Sequence, residues 1–120
     1  MFGRKQKYYE TAINIIRDYF KIETNNQINS KFPGYLVYMD ILSEAYHIKR
    51  ATVEEAAAML TLGYWGGVLE KDPTSRDEMK LLRRRLVEFI KSSQAARKFD
   101  PRRADLYLSR IEDFSKRFGI

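Results

Sequence analysis

Apolar residues recur along this chain at spacings of three and four, the period of a helix that buries one face. Tyr9, Ala12, Ile13, Ile16 and Phe20 fall on one side of a first helix expected over about 7–21, with Tyr8, Ile15 and Tyr19 widening the face. Tyr38, Ile41, Leu42 and Ala45 mark a second, over 33–47, which opens at Pro33, where a first-turn proline costs nothing. Met79, Leu82, Leu86 and Phe89 mark another over 75–97. Ala104, Tyr107, Leu108, Ile111, Phe114 and Phe118 mark the last, over 101–118. Between these lies the apolar run Ala56–Leu69, which the pattern makes helical over 52–69.

The boundaries carry their own chemistry. Thr52-Val-Glu-Glu55 is a capping box, in which the threonine hydroxyl serves one orphan amide and the glutamate reaches back to another. Ser75-Arg-Asp-Glu78 reads the same way, and Asp100-Pro101 is a cap followed by a first-turn proline. No strand-like alternation survives, and hairpin signals such as Asn-Gly or Asp-Gly are absent. The expectation is an all-α, compact bundle of about five helices in one domain spanning 1–120, with 1–6 as a basic tail that need not be ordered.

The stretch Thr61–Asp72, TLGYWGGVLEKD, concentrates the one tryptophan and three of the six glycines. Two structural readings compete. In the first, the helix continues, and Gly63 and Gly67, four apart on one face with Ala56 and Leu60, let another helix approach closely. In the second, Gly63 ends the helix and Tyr-Trp-Gly-Gly is an ordered loop. From Thr52 the segment also resembles the first half of a helix-turn-helix. Its second half, YWGGVLEKD, holds one lysine, two acids and two glycines, where a recognition helix presents several basic and amide side chains.

With 120 residues the chain is long enough for a core without staples, and zero cysteines remove disulfides, thiolate nucleophiles and cysteine zinc sites. The N-terminus lacks the apolar segment of a secretory signal. The longest uncharged apolar run, 14 residues, falls short of the roughly 18 that cross a bilayer. A cytoplasmic protein without a transmembrane segment is expected.

Candidate chemistry is thin. Glu44-Ala-Tyr-His47 has the Glu-x-x-His spacing of a carboxylate-bridged metal site, but a single histidine cannot supply the second motif such sites need. No metal, cofactor or catalytic residue is assigned. No nucleophile elbow or phosphate loop occurs, and nothing argues for an enzyme.

Charge changes the picture more. The net charge of +6 is uneven: residues 76–120 hold 13 basic and 7 acidic groups, whereas 51–75 hold 1 and 4. Arg83, Arg84 and Arg85 fan around one helix, and Arg103, Arg110 and Arg117 repeat every seven residues on the next. As an antiparallel hairpin, the two helices could present an electropositive surface, or a solvated face with local pairs such as Arg84–Glu88, Arg110–Asp113 and Asp113–Arg117. The composition points to a non-catalytic protein-interaction module: an adaptor, a chaperone-like binder or an inhibitor of a partner protein. Its candidate contacts are Tyr64 and Trp65, or the basic hairpin through Arg83, Arg84, Arg103, Arg110 and Arg117. The alternative is a nucleic-acid-associated protein that binds backbone phosphates through that hairpin. A second copy of the chain is a further candidate partner.

Overall fold

A computed structural model describes the backbone of residues 2–22, 41, 44–45, 51–72 and 75–120, with side chains from Glu10 onward. Four helices are described, where the periodicity suggested about five: α1 (Phe2–Asp18), α2 (Val53–Lys71), α3 (Arg76–Ala95) and α4 (Pro101–Phe118). No strand occurs among the described residues. The chain is compact: its radius of gyration is 14.0 Å, against about 13.6 Å for a folded domain of this length. The helix expected over 33–47 lies mostly outside the described residues. Three of its positions, Ile41, Glu44 and Ala45, are helical and exposed, so Ile41 and Ala45 do not form the buried stripe assigned to them. At the N-terminus α1 begins at Phe2, so residues 2–6 are helical rather than a loose tail.

The second helix is the axis of the bundle and touches each of the other three. Its sequence explains this. Ala56, Ala57, Ala58, Met59, Leu60, Leu62, Trp65 and Leu69 are buried on every side of it, and a helix apolar all round must be enclosed. The helix therefore runs on through Gly63, Gly66 and Gly67. Each interior glycine costs up to ~1 kcal/mol, a penalty outweighed by burying Trp65 and Leu69 beyond the first of them.

The close helix approach is displaced from the expected pair. Gly63 is exposed, and a Cβ placed on Gly67 would meet nothing within 4 Å. The tight contact is at Gly66, where a Cβ would sit 3.4 Å from Phe114 Cε1.

Helix ends follow the cap chemistry with one exception. At Thr52 both halves of the capping box form: the hydroxyl accepts from the Glu55 amide, and Glu55 Oε1 accepts from the Thr52 amide. Asp100 accepts from the Arg102 amide at 2.8 Å, with Pro101 following. Ser75 makes no side-chain cap; its hydroxyl donates instead to Asp72 Oδ2 at 2.8 Å. Its backbone, at φ −86° and ψ 25°, is not in the extended conformation of an N-cap, so the expected second capping box does not form.

Two helices end in Schellman motifs. In α4, Gly119 takes the left-handed position (φ 67°), and the Ile120 amide returns to the Ser115 carbonyl. In α3 the same position is held by Arg97 (φ 61°), and the Lys98 amide returns to the Ser93 carbonyl.

The core is Ala12, Ile13, Ile16 and Phe20 from α1 and its end, the apolar positions of α2, Met79, Leu82, Leu86, Phe89 and Ile90 from α3, and Ala104, Tyr107 and Ile111 from α4. Phe20 stacks on Phe89 with ring centres 5.0 Å apart, joining the end of α1 to α3. Phe99, in the α3–α4 turn, meets Tyr107 edge to face at 5.5 Å.

Candidate interaction surface

The residues singled out from the sequence have divergent fates. Trp65 has no exposed surface. Its indole N–H donates to the Met79 carbonyl at 2.9 Å, satisfying the one polar group of the ring. The carbonyl belongs to the first turns of α3, so Trp65 ties α2 to α3, while its ring leans on Phe114 of α4. It is a hub of the core and offers no contact area to a partner. Tyr64, its neighbour, is half-buried against the same core.

Arg103 is buried as well. Its Nη1 donates to Glu55 Oε2 at 2.8 Å, and the two side chains are 3% and 1% exposed. The same carboxylate oxygen accepts the Asp100 amide at 3.3 Å. One glutamate therefore serves the N-terminal turn of its own helix, the N-cap amide of α4 and a buried guanidinium. The sequence suggested only the first of these roles.

Arginines of α3 are drawn into helix ends. Arg76 donates through Nη2 to the Phe118 and Gly119 carbonyls at 2.9 and 2.7 Å, and Arg83 through Nη1 to the main-chain oxygen of Ile120 at 2.7 Å. Arg85 reaches the Phe20 carbonyl at 3.4 Å, just past the end of α1. Carbonyls at a helix C-terminus lack intrahelical donors and carry partial negative charge, so a guanidinium is well placed there. Much of the apparent basic stripe is thus an internal clamp: Arg76 and Arg83 close the end of α4, and Arg85 the end of α1.

Arg84, Arg110 and Arg117 remain exposed. Arg117 stacks over Phe114 and Phe118, its Cζ 5.9 and 5.2 Å from the ring centres, and lies 3.8 Å from Glu70 on α2. Its ionic partner is on another helix rather than Asp113. Arg84 and Arg110 form no ion pair among the described residues, so the expected Arg84–Glu88 and Arg110–Asp113 pairs are not present; the one local pair of that type is Lys116–Glu112 at 3.5 Å. Arg103, Arg110 and Arg117 do share a line on α4, but the line passes from the core to the surface.

Beside the free arginines stand two apolar side chains that periodicity did not single out. Leu81 and Leu106 are each 41% exposed. Leu81 lies one turn from Arg84 on α3, and Leu106 one turn from Arg110 on α4.

No group of three metal-ligating side chains occurs among the described residues, and His47 lies outside them. No helix among them is long and apolar enough to cross a membrane. Comparison with protein families, with curated proteins and with solved structures finds no match.

Proposed function

We propose that this chain is a non-catalytic protein-interaction module, an adaptor, chaperone-like binder or inhibitor, acting in the cytoplasm. It docks its partner on the outward faces of α3 and α4. The observation that carries the reading is the pairing of exposed leucine with unpaired arginine on both faces: Leu81 with Arg84, and Leu106 with Arg110. Arginine is enriched at protein interfaces, where its stem covers apolar area and its head recognises carboxylates. The buried Glu55–Arg103 pair is committed to structure.

A photo-crosslinker in place of Leu106, used in an extract of the source cells, tests the reading. The expected result is a discrete protein adduct that disappears with Arg110→Glu. The absence of any protein adduct would overturn it.

The second reading is binding of nucleic-acid backbone, favoured by the exposure of Arg84, Lys91, Arg97, Lys98 and Arg110. It keeps only part of its original residue set, because Arg83 and Arg103 are engaged internally. Retention of labelled duplex DNA, single-stranded DNA or RNA that falls steeply as salt rises would favour it over the first.

A further inference from the structure

Four exposed residues of α4, Leu106, Arg110, Asp113 and Arg117, are spaced four, three and four apart. That spacing sets them in one seam along the helix, the geometry by which paired helices meet. The charges on the seam have an unusual property: they are complementary to themselves when the helix is reversed. If a second α4 is laid antiparallel about a two-fold axis passing between Arg110 and Asp113, Arg110 faces Asp113 of the second copy and Asp113 faces Arg110 of the second copy. Leu106 then meets the stem of Arg117 of the second copy.

Two observations make the seam ready for this. Arg110 and Asp113 are one turn apart and could pair within the helix, yet no ion pair joins them. Arg117 is held in place by Phe114, Phe118 and Glu70, so less side-chain freedom is lost when it is covered.

We infer that α4 is a self-pairing face and that the partner of this module is a second copy of the chain, joined antiparallel through the 106–117 seam. The contact is isologous, so each residue pair occurs twice. The net charge of +6 opposes association at long range. At about 0.15 M salt the screening length of about 8 Å mutes that repulsion while sparing groups in contact. The inference rests on the interaction-module reading and gives it a specific partner.

Light scattering over a concentration series up to about 1 mM, where even weak pairing registers, tests it on the full chain. The expected mass rises from 14.2 kDa toward twice that value. Arg110→Asp and Asp113→Arg each hold the chain at the single mass, because each sets like charges face to face twice. An equimolar mixture of the two variants dimerises again, since the two altered seams are complementary. Leu106→Lys, a surface change that leaves the charge pairs intact, also shifts the protein toward the single mass. Far-UV circular dichroism confirms that each variant is folded.

A wild-type chain that stays at 14.2 kDa throughout overturns the inference. So do single charge variants that still dimerise, or a mixture that fails to. A monomeric wild type that still yields a crosslink to a different protein from position 106 would overturn the self-pairing alone and leave the interaction module standing.

Discussion

Glu55 and Arg103 meet at 2.8 Å in the interior, forty-eight residues apart in the chain. The carboxylate also accepts the amides of Thr52 and Asp100, so both of its oxygens have donors. Removing one partner of such a pair leaves an uncompensated buried charge, at a cost of about 3–5 kcal/mol. Arg103→Met and Glu55→Met should each lower the free energy of unfolding in urea by that order. The double variant should lose much less than the sum, because no lone charge remains. Additive losses would show that the two groups act independently.

Charge reversal sorts the arginines into two groups. Arg84→Glu and Arg110→Glu should change stability by no more than about 0.5 kcal/mol, as surface positions do. Arg83→Glu places a carboxylate against the Ile120 oxygen and the negative end of α4, and should cost about 1–2 kcal/mol. Thermal melts of the three variants side by side check the order.

Trp65→Phe keeps most of the apolar volume but gives up the indole bond to the Met79 carbonyl. A loss of about 1–3 kcal/mol is expected from the lost hydrogen bond and the smaller ring. Trp65→Ala should cost about 3–5 kcal/mol or prevent folding. Tyr64→Ala, at a half-buried site, should be the milder change. Equal losses at 64 and 65 would contradict the placement of the tryptophan.

Adjacent glycines should respond in opposite directions. Gly67 has open space around a would-be Cβ, so Gly67→Ala should stabilise by about 0.5–1 kcal/mol through helix propensity. Gly66→Leu drives a side chain into the Phe114 ring and should destabilise by about 1–3 kcal/mol. Denaturation midpoints of the two variants decide the matter.

Arg97 occupies the left-handed position that ends α3, at a cost of about 1 kcal/mol that glycine avoids. Arg97→Gly should therefore raise the melting temperature by a few degrees. It should also leave the Lys98-to-Ser93 bond in place, as read by slowed exchange of the Lys98 amide.

Cap chemistry and apolar period exposed much of this architecture in the sequence. Thr52, Glu55 and Asp100 act as their local pattern implies, and the apolar stripes of α1, α3 and α4 face the core. The second helix was harder to orient because it is apolar all round: period alone does not say which glycine meets which neighbour, and Gly66 took the contact expected at Gly63 and Gly67. The Ser75 box failed for a different reason: its backbone sits at φ −86°, ψ 25° instead of the extended conformation that an N-cap takes.

The arginines were least legible. A long side chain selects its partner from the whole fold, and the carbonyls held by Arg76 and Arg83 lie more than thirty-five residues away. The charge pattern thus marked a surface without showing which of its members were already engaged. The exposed Leu81 and Leu106 carried no local signal, because each sits in a run whose other apolar residues turn inward.

The contacts between α2 and α4 keep a nearly constant offset in the chain, of 48, 48 and 47 residues. Glu55 meets Arg103, Gly66 meets Phe114 and Glu70 meets Arg117, so the two helices run parallel in fixed register. The loop between them has to be closed only once: after any one contact forms, the others follow at little further entropic cost. The two helices therefore dock like a zipper with α3 folded back between them. In native-state hydrogen exchange, the amides of α2 and α4 should be released in the same opening event rather than one helix at a time.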